Sequence, residues 1–377
     1  MSVSSHAFTE GLFAAGGSPA LLRQIHRVNF DCGNAGVTPL YTLGHLAFLS
    51  AVPHGVLRRM LLETKSHYTE QRLAKKKPGT GYRTIRIPSP ALLKVQRFIL
   101  GRCLPPGPSS PISYAYTRGR GIRDAAERHV GARTVIKLDY SDFFSSVGSK
   151  AVYRVFESAG YPELLAFEMA MLCTYGATIQ LNNEVNGNRP YKNVSRRFLA
   201  QGAPTSGALS NFALRSLDKS LGEFELSGFT LTRYADDITI SSPRTMTQKE
   251  VGSLIRNITE LSSTYNLSLN KSKTQVLRNK NSFRILGLSV TSSGVGLTRP
   301  YKRSFESELF GIKKGGLSNQ AIYRGYSSPM DYIAFLWGHV AFAKGIDPIW
   351  SQRMSERLES MGVPFIDAIG VFGSSLP

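Results

Sequence analysis

Hydrophobic and polar residues alternate on both sides of a short polar interruption in residues 229–241. Phe229 and Leu231 lie before the interruption, and Ile238 and Ile240 lie after it. A period of two residues is typical of strands whose two faces differ in polarity. The stretch therefore predicts two strands joined by a hairpin turn at the interruption.

Helical spacing of hydrophobic residues dominates much of the remaining chain. Pro53 divides one such region into two predicted helices. The predicted helical regions are residues 39–62, 92–100, 150–175, 249–267 and the segment from 300 onward. Further short strands are predicted at 84–88 and 135–138. The pattern therefore predicts a chain that mixes helices with short strands.

The predicted hairpin turn carries two adjacent carboxylates, Asp236 and Asp237, with Tyr234 just before them. Like charges this close raise each other's pKa unless a cation lies between them. A solvated Asp-Asp turn is the ordinary interpretation of such a pair. The two apolar strands that lead into the turn favour a metal-binding turn instead.

A third carboxylate follows another apolar stretch. Val135, Ile136 and Leu138 predict a short buried strand, and Asp139 comes directly after it. Three carboxylates can hold two Mg²⁺ ions with help from substrate phosphates and water. Two such ions, about 3.5–4 Å apart, clamp the attacking and leaving oxygens of a phosphoryl transfer. Asp142 is interpreted as a helix-start or surface residue.

The charge of the chain indicates a polyanionic partner. Lysine and arginine number 46 against 26 aspartate and glutamate residues, which gives a net charge of +20. The basic residues are spread through segments with hydrophobic periodicity, so they belong to a folded surface rather than to a tail. An anionic membrane surface is the competing partner, but no strongly amphipathic basic helix is evident, and we expect no membrane partner.

The cysteines and the lack of long apolar runs indicate the cellular compartment in which the protein works. Cys32, Cys103 and Cys173 are scattered and odd in number, which indicates neither a disulfide framework nor a zinc site. We expect them to be small buried side chains in a reducing compartment. No signal peptide and no unbroken apolar stretch of about 18 residues is evident. These observations predict a cytoplasmic protein.

Three stretches, in this order, resemble the motifs of a known family. Residues 139–144 (DYSDFF) resemble motif A of reverse transcriptases, and residues 201–206 (QGAPTS) with 209–211 (LSN) resemble motif B. Residues 234–237 (YADD) resemble motif C in its common bacterial form. The detailed match is to retron-type reverse transcriptases, bacterial enzymes that make a small satellite DNA from their own noncoding RNA. The resemblance covers roughly residues 68–350.

The resemblance implies an α+β fold, the right-hand polymerase fold with palm, fingers and helical thumb. It predicts an N-terminal helical region over residues 1–70 and the fingers and palm over 71–285. The primer grip and a helical RNA-binding thumb are expected over 286–377. At the catalytic centre, it implies that Asp139, Asp236 and Asp237 hold two Mg²⁺ ions.

Several side chains are expected at the incoming nucleotide because of the same resemblance. Phe144 would lie beneath the sugar and block a ribose 2′-hydroxyl, although a core aromatic is the alternative interpretation. Gln201 of motif B would lie by the nucleotide and its ribose. Lys273, in a stretch that resembles motif D, would neutralise the triphosphate or donate a proton, and a solvated lysine on a turn competes with that assignment.

A basic run followed by a strand resembles the finger hairpin that covers the incoming nucleotide. Arg83 would contact the triphosphate, since a guanidinium matches phosphate geometry and stays charged. Lys75, Lys76 and Lys77 are assigned to nucleic-acid binding. A solvated hairpin that touches only the template backbone is an equally good interpretation of these three lysines.

Further nucleic-acid contacts are assigned with some departures from the family pattern. His129 is a candidate for RNA contact, with a packing or helix-capping histidine as the alternative, and Ala125 stands where retron enzymes usually carry Asn. Tyr234 of motif C and Gly287 of motif E, the hairpin that grips the primer end, are also assigned to nucleic acid. Gly207 replaces a common proline of motif B, and we expect only a change in local stiffness.

The resemblance implies an RNA-directed DNA polymerase that uses dNTPs and its own structured noncoding RNA. Priming from an RNA 2′-hydroxyl, and a separate effector protein in antiphage defence, are expected from the retron resemblance. A defence-associated or group II intron-like reverse transcriptase is the first alternative. A non-catalytic RNA-binding scaffold is the second, although all three aspartates are present. A viral RNA polymerase would more typically have Gly in place of Ala235.

Overall fold

The computed structural model describes residues 18–74, 81–182 and 191–365, together with residues 11 and 16. Lys75, Lys76 and Lys77 therefore lie outside the described residues. No helix in these ranges has both the length and the hydrophobicity that crossing a bilayer requires. Cys32, Cys103 and Cys173 are all buried and form no disulfide, as expected.

The N-terminal part consists of helices followed by a two-stranded hairpin and one further helix. Ser18 and Thr42 accept hydrogen bonds from backbone amides in the first turns of two of these helices, which fixes where they begin. The predicted break at Pro53 and the predicted helix over 92–100 are confirmed. The elements are α1 (Pro19–Ala35), α2 (Leu43–Ser50), α3 (His54–Leu62), β1 (Tyr68–Ala74), β2 (Tyr82–Pro88) and α4 (Pro90–Arg102).

The middle of the chain alternates helices with the strands of the central sheet. The predicted helical region over 150–175 is two helices. The elements are α5 (Ile122–Glu127), β3 (Thr134–Ser141), α6 (Phe143–Ser146), α7 (Ser149–Ser158), α8 (Glu163–Cys173), β4 (Thr174–Asn182), β5 (Tyr191–Leu199), α9 (Ser206–Ala213), α10 (Arg215–Gly222), β6 (Thr230–Tyr234), β7 (Asp237–Ser242), α11 (Gln248–Ser263), β8 (Ser268–Leu269) and β9 (Gln275–Arg278).

The C-terminal part is a small antiparallel sheet followed by four helices, as the helical pattern from residue 300 predicts. Trp337 and Trp350 are buried in its hydrophobic core, which is separate from the larger core around the central sheet. The elements are β10 (Phe283–Ile285), β11 (Leu288–Thr291), β12 (Gly294–Gly296), α12 (Arg299–Gly315), α13 (Leu317–Tyr323), α14 (Pro329–Lys344) and α15 (Pro348–Ser360).

The central sheet is antiparallel, with β3 between the β6–β7 hairpin on one side and the short strands β8 and β9 on the other. The predicted hairpin at residues 229–241 is confirmed, because β6 and β7 pair from Thr230 to Ser241. Ile136 pairs with Ile240 across β3 and β7, and both are buried. Helices pack around an antiparallel sheet, so the expected α+β class is confirmed.

Candidate active site

The strand register brings two of the three predicted carboxylates side by side. Asp139 on β3 lies opposite Asp237 on β7 as the last pair of that ladder. Directly opposed residues of an antiparallel pair have their Cβ atoms about 4.5–5.5 Å apart. Asp236 lies in the turn next to Asp237, and its carbonyl accepts a hydrogen bond from the Tyr140 amide at 3.0 Å. The three carboxylates thus converge at one end of the sheet.

The turn between β6 and β7 is tight, because Tyr234 and Asp237 pair and only two residues separate them. Ala235, the first of the two, adopts a left-handed backbone conformation with φ of 57°. This conformation is costly for a residue with a Cβ atom and is found where the surroundings fix it. Tyr234 itself is half-buried at the end of β6.

The carboxylates of the turn are partly buried and repel one another when no cation lies between them. Burial, followed by the charges of Asp236 and Asp139, raises the pKa of Asp237 to about 6. Burial, with the charge of Asp139, also raises the pKa of Asp236, while Lys273 and Arg83 oppose that increase. Oxygen ligands of this kind are the donors that Mg²⁺ prefers. The chemistry of the three side chains therefore fits divalent metal ions.

Lys273 supplies the positive charge next to Asp139 in this structure. Its ammonium group donates to both carboxylate oxygens of Asp139, at 2.7 and 2.8 Å. Asn270 orients the short helical turn that carries Lys273, since its amide donates to the Asp139 carbonyl at 2.7 Å. In this arrangement, no group of three acidic, histidine or cysteine side chains within the described ranges is set to hold a metal ion. Lys273 is an ion-pair partner rather than a merely solvated lysine.

Phe144 lies just after β3, on the short helix α6. The half-buried ring packs against Phe143 at a centroid distance of 5.3 Å and against Tyr116 at 6.2 Å. Phe143 is buried in the core. Asp142 is exposed at the start of α6, which confirms its interpretation as a helix-start residue.

Motif B packs against the finger hairpin. The carbonyl of Gln201 accepts a hydrogen bond from the Arg86 amide on β2 at 2.7 Å. Gly202 has a φ of 112°, and a Cβ atom there would lie 2.8 Å from Ile85. Arg83 is exposed on the same strand, and its charge opposes the increase in the pKa of Asp236. Arg83 thus lies within electrostatic reach of Asp236, and Gln201 contacts the hairpin that carries Arg83.

Gly207 of motif B is required for a steric reason. A Cβ atom at this position would lie 2.4 Å from the ring of Tyr116, well inside van der Waals contact. The expectation that replacing proline by glycine changes only local stiffness is therefore incomplete, since the glycine makes room for an aromatic ring.

His129 has no surface with which to contact RNA, so that assignment is corrected. The side chain is buried, and its ring nitrogens lie 2.7 Å from the Ser241 hydroxyl and 2.8 Å from the Thr232 hydroxyl. Burial, followed by the charge of Arg128, lowers the pKa of His129 to about 3. His129 is a neutral packing residue that joins the end of α5 to strands β6 and β7.

Gly287 lies in the turn of the β10–β11 hairpin, where Ile285 pairs with Leu288. The two intervening residues, Leu286 and Gly287, have φ angles of 47° and 85°. Turns with two left-handed residues match the twist of a hairpin and favour glycine. The glycine is exposed, and its left-handed conformation is one that glycine adopts without steric cost.

Sequence reasoning missed a buried ion pair behind the turn. Arg233 donates to both oxygens of Asp218 at 2.6 Å, and both side chains are fully buried. The guanidinium also donates to the Ala235 carbonyl at 3.2 Å and to the Ser113 hydroxyl at 3.3 Å. Burial opposes the charge of Arg233, but Asp218 outweighs it and raises the pKa of the guanidinium. The signal in the sequence was that Arg233 occupies a position of the predicted strand at which the alternation calls for a hydrophobic residue.

Comparisons with known proteins agree with this geometry. Residues 75–290 match the family described as reverse transcriptase (RNA-dependent DNA polymerase). The chain is 30% identical over 313 residues to the retron Mx65 reverse transcriptase of Myxococcus xanthus, covering 82% of this chain and 69% of that protein. It is 26% identical over 300 residues to the retron Ec86 reverse transcriptase of Escherichia coli, covering 79% and 87%. It is 29% identical over 267 residues to the retron Mx162 reverse transcriptase of Myxococcus xanthus, covering 67% and 54%.

Proposed function

The chain belongs to the retron reverse transcriptases and is an RNA-directed DNA polymerase, and from this premise we propose that it copies its own structured noncoding RNA into a small satellite DNA. Its fold is the right-hand polymerase fold with palm, fingers and helical thumb. The observation that carries the proposal is the pairing of Asp139 with Asp237 across the central sheet, with Asp236 beside them.

Asp139, Asp236 and Asp237 would hold two Mg²⁺ ions at the end of the sheet. When bound, the ions would lower the pKa of the primer hydroxyl and neutralise the triphosphate and the pyrophosphate leaving group. The raised pKa values of Asp236 and Asp237 support this assignment, because a cation between the carboxylates relieves the repulsion that raises them.

Arg83 and Lys273 bind the triphosphate in this proposal. Arg83 is exposed on the finger hairpin and contributes positive charge at Asp236. Lys273 is paired with Asp139. Both cations act on the charge of Asp236, and Lys273 becomes available for the triphosphate or its leaving group once it leaves Asp139.

Phe144 and Gln201 select the nucleotide. Phe144, five residues after Asp139, presents a half-buried ring, and a rigid aromatic surface of this kind can exclude a ribose 2′-hydroxyl. Gln201 lies by the ribose at the start of motif B. Lys75, Lys76 and Lys77, together with Tyr234 and Gly287, contact the template and primer strands in this proposal.

We divide the chain accordingly. Residues 1–70 form an N-terminal helical region, residues 71–285 form the fingers and palm, and residues 286–377 form the primer grip and the RNA-binding thumb. The separate hydrophobic core of the C-terminal helices supports a division near the last boundary, and because that core includes Phe283 and Ile285, the division falls before β10. Priming from an internal RNA 2′-hydroxyl and action beside a separate effector protein in antiphage defence complete the proposal.

The test is to purify the protein from cells that express its native locus and to sequence the nucleic acid that accompanies it, with and without debranching enzyme. A short DNA joined 2′–5′ to a structured RNA, absent from the Asp236→Ala/Asp237→Ala variant, is the expected result. Unbranched DNA would assign the chain to another class of defence or intron-like reverse transcriptase. RNA without DNA under dNTP-replete conditions would overturn the proposal in favour of a non-catalytic scaffold.

A further inference from the structure

Tyr116 is an exposed aromatic residue with a costly backbone conformation. Its φ is 56°, in the left-handed region that bulky residues rarely adopt. Its side chain is nevertheless 57% exposed, so the ring gains little from burial in a hydrophobic core. Backbone strain of this kind persists where the surroundings impose it, often at functional sites. Packing stability alone does not account for this residue.

The loop that carries Tyr116 is fixed by several hydrogen bonds. The Asn211 side chain of motif B donates to the Ala115 carbonyl at 2.6 Å. The Arg120 guanidinium donates to the carbonyls of Ser110 at 2.8 Å and Ser113 at 2.9 Å. The strained conformation is therefore imposed from both ends of the loop, and the position of the ring is well defined.

The ring of Tyr116 lies at the junction of motifs A, B and C. It packs against Phe144 of motif A, with 6.2 Å between centroids and 57° between ring planes. It occupies the space that a side chain at Gly207 of motif B would need. Desolvation of its phenol group, which faces motif C, followed by the charge of Asp236 and by Tyr234, raises the pKa of Tyr116 although most of the ring surface is exposed. No prediction from the sequence assigned Tyr116 a role.

We propose that Tyr116 is a positioning residue for Phe144 and thereby sets how strictly the enzyme excludes ribonucleotides. The inference rests on the proposed role of Phe144 as the barrier to a ribose 2′-hydroxyl. Phe144 has Phe143 on one side and Tyr116 on the other, at 5.3 and 6.2 Å. A ring that distinguishes one oxygen atom must be held in one rotamer, and Phe143 alone leaves one side of Phe144 open.

Gly207 has a defined part in this arrangement. A methyl group at position 207 would push the Tyr116 ring away from its present place, because the nearest ring atoms would lie 2.4 to 2.8 Å from it. Gly207→Ala therefore disturbs the contact between the Tyr116 and Phe144 rings while both residues keep their identity. Because substitutions at positions 116 and 207 disturb the same contact, a double-mutant cycle can test whether their effects on selectivity are additive.

The experiment measures kcat/KM for dNTP and for rNTP incorporation on a primed RNA template. Tyr116→Ala is expected to lower the dNTP preference roughly three- to tenfold, as the loss of one aromatic pair contact implies. Gly207→Ala is expected to lower it similarly, and the double variant no further than either alone. Tyr116→Phe keeps the ring and retains the preference. Phe48→Ala, which removes an aromatic side chain that is 71% exposed on α2, is the matched control.

Tyr116→Asn guards against a folding defect, because asparagine tolerates the left-handed conformation while removing the ring. It is expected to match Tyr116→Ala in selectivity and to melt no lower than the wild type. Unchanged selectivity in both Tyr116 variants, with relaxed selectivity in Phe144→Ala, would overturn the positioning role and leave the barrier role intact. Unchanged selectivity in Phe144→Ala as well would overturn both.

Discussion

Lys273 and Asp139 form an ion pair in which one ammonium group donates to both oxygens of one carboxylate, at 2.7 and 2.8 Å. Asp139 is the carboxylate on β3, opposite Asp237 on β7. The ammonium group therefore competes with any divalent ion for the same two oxygens. Lys273 is half-exposed on a short helical turn, so its side chain can leave without disturbing the core.

Lys273→Ala is expected to bind Mn²⁺ more tightly than the wild type when no nucleotide is present, because the competing ammonium group is gone. Its rate of nucleotide incorporation is expected to fall by about a hundredfold, the lower end of the usual contribution of a positioned proton donor. Electron paramagnetic resonance titration of Mn²⁺ measures the first effect, and single-turnover extension measures the second.

Lys271→Ala is the matched control, because Lys271 lies on the same short helical turn and is exposed without an ion-pair partner among the described residues. It removes the same charge from the surface two residues away. Equal Mn²⁺ affinity in the wild type and in Lys273→Ala would show that the ion pair does not persist in solution.

Asp237→Asn is expected to stabilise the metal-free protein at pH 7 by roughly 1–2 kcal/mol, after allowance for solvent screening, while abolishing polymerisation. Burial, with Asp236 and Asp139, raises the pKa of Asp237 to about 6. Since this exceeds the value in an unfolded chain, the wild type loses stability as the pH rises through about 4 to 6. Urea unfolding in EDTA measures the difference, which should shrink at pH 4.5.

Asp139→Asn provides the contrast in the same experiment. It removes a carboxylate that Lys273 already neutralises, so no stabilisation is expected at pH 7. A gain in stability of equal size in both variants would mean that the ion pair contributes nothing to the charge balance of the site.

The parts of the fold with a regular hydrophobic period were predictable from the sequence. The hairpin at residues 229–241 was evident from alternation, and Pro53 marked the boundary between α2 and α3. The convergence of Asp139 with Asp237 was predictable only through the motif order, since strand register depends on pairing between segments that are about a hundred residues apart.

The sequence did not indicate the role of one residue at the site and left two interpretations of another residue open, for different physical reasons. Tyr116 lies in a loop with no periodicity, and its place beside Phe144 depends on long-range hydrogen bonds such as that from Asn211. His129 was assigned to RNA contact as one interpretation, although it is buried between two hydroxyl groups. A polar residue type does not reveal whether the fold supplies it with internal partners.

His129 gives the protein a defined acid sensitivity. Its pKa is lowered from 6.5 to about 3 by burial and by Arg128, while its ring nitrogens meet the hydroxyls of Ser241 and Thr232. Below about pH 6.5 this histidine is protonated in the unfolded chain but stays neutral in the folded chain. The protein therefore loses stability as the pH falls from 6.5 towards 3.

His129→Asn removes this titration. It is expected to be less stable than the wild type at pH 7.5 by about 1–3 kcal/mol, because a buried hydroxyl loses its partner. The difference in the free energy of unfolding between the variant and the wild type should narrow by about 1.4 kcal/mol for each pH unit below 6.5. Urea unfolding at pH 7.5 and pH 5.5 measures it, and a gap that stays constant would contradict the buried neutral state.

The buried pair of Arg233 and Asp218 is expected to separate stability from catalysis. Asp218→Leu alone leaves an uncompensated buried guanidinium and should cost about 3–5 kcal/mol. The double variant Arg233→Met/Asp218→Leu should recover most of that loss, because well-packed apolar residues replace a buried ion pair at little cost. Thermal or urea unfolding of the three proteins measures the difference.

Polymerisation should not recover with stability in the double variant. The Arg233 guanidinium donates to the Ala235 carbonyl at 3.2 Å, in the strained turn between β6 and β7, and methionine cannot replace that donor. The turn then loses a constraint on the residue that precedes Asp236 and Asp237. Extension rates at saturating dNTP test this prediction. The comparison is Arg233→Lys, which retains Asp218 and keeps a hydrogen-bond donor at position 233. Full activity in the apolar double variant would show that the ion pair acts on stability alone.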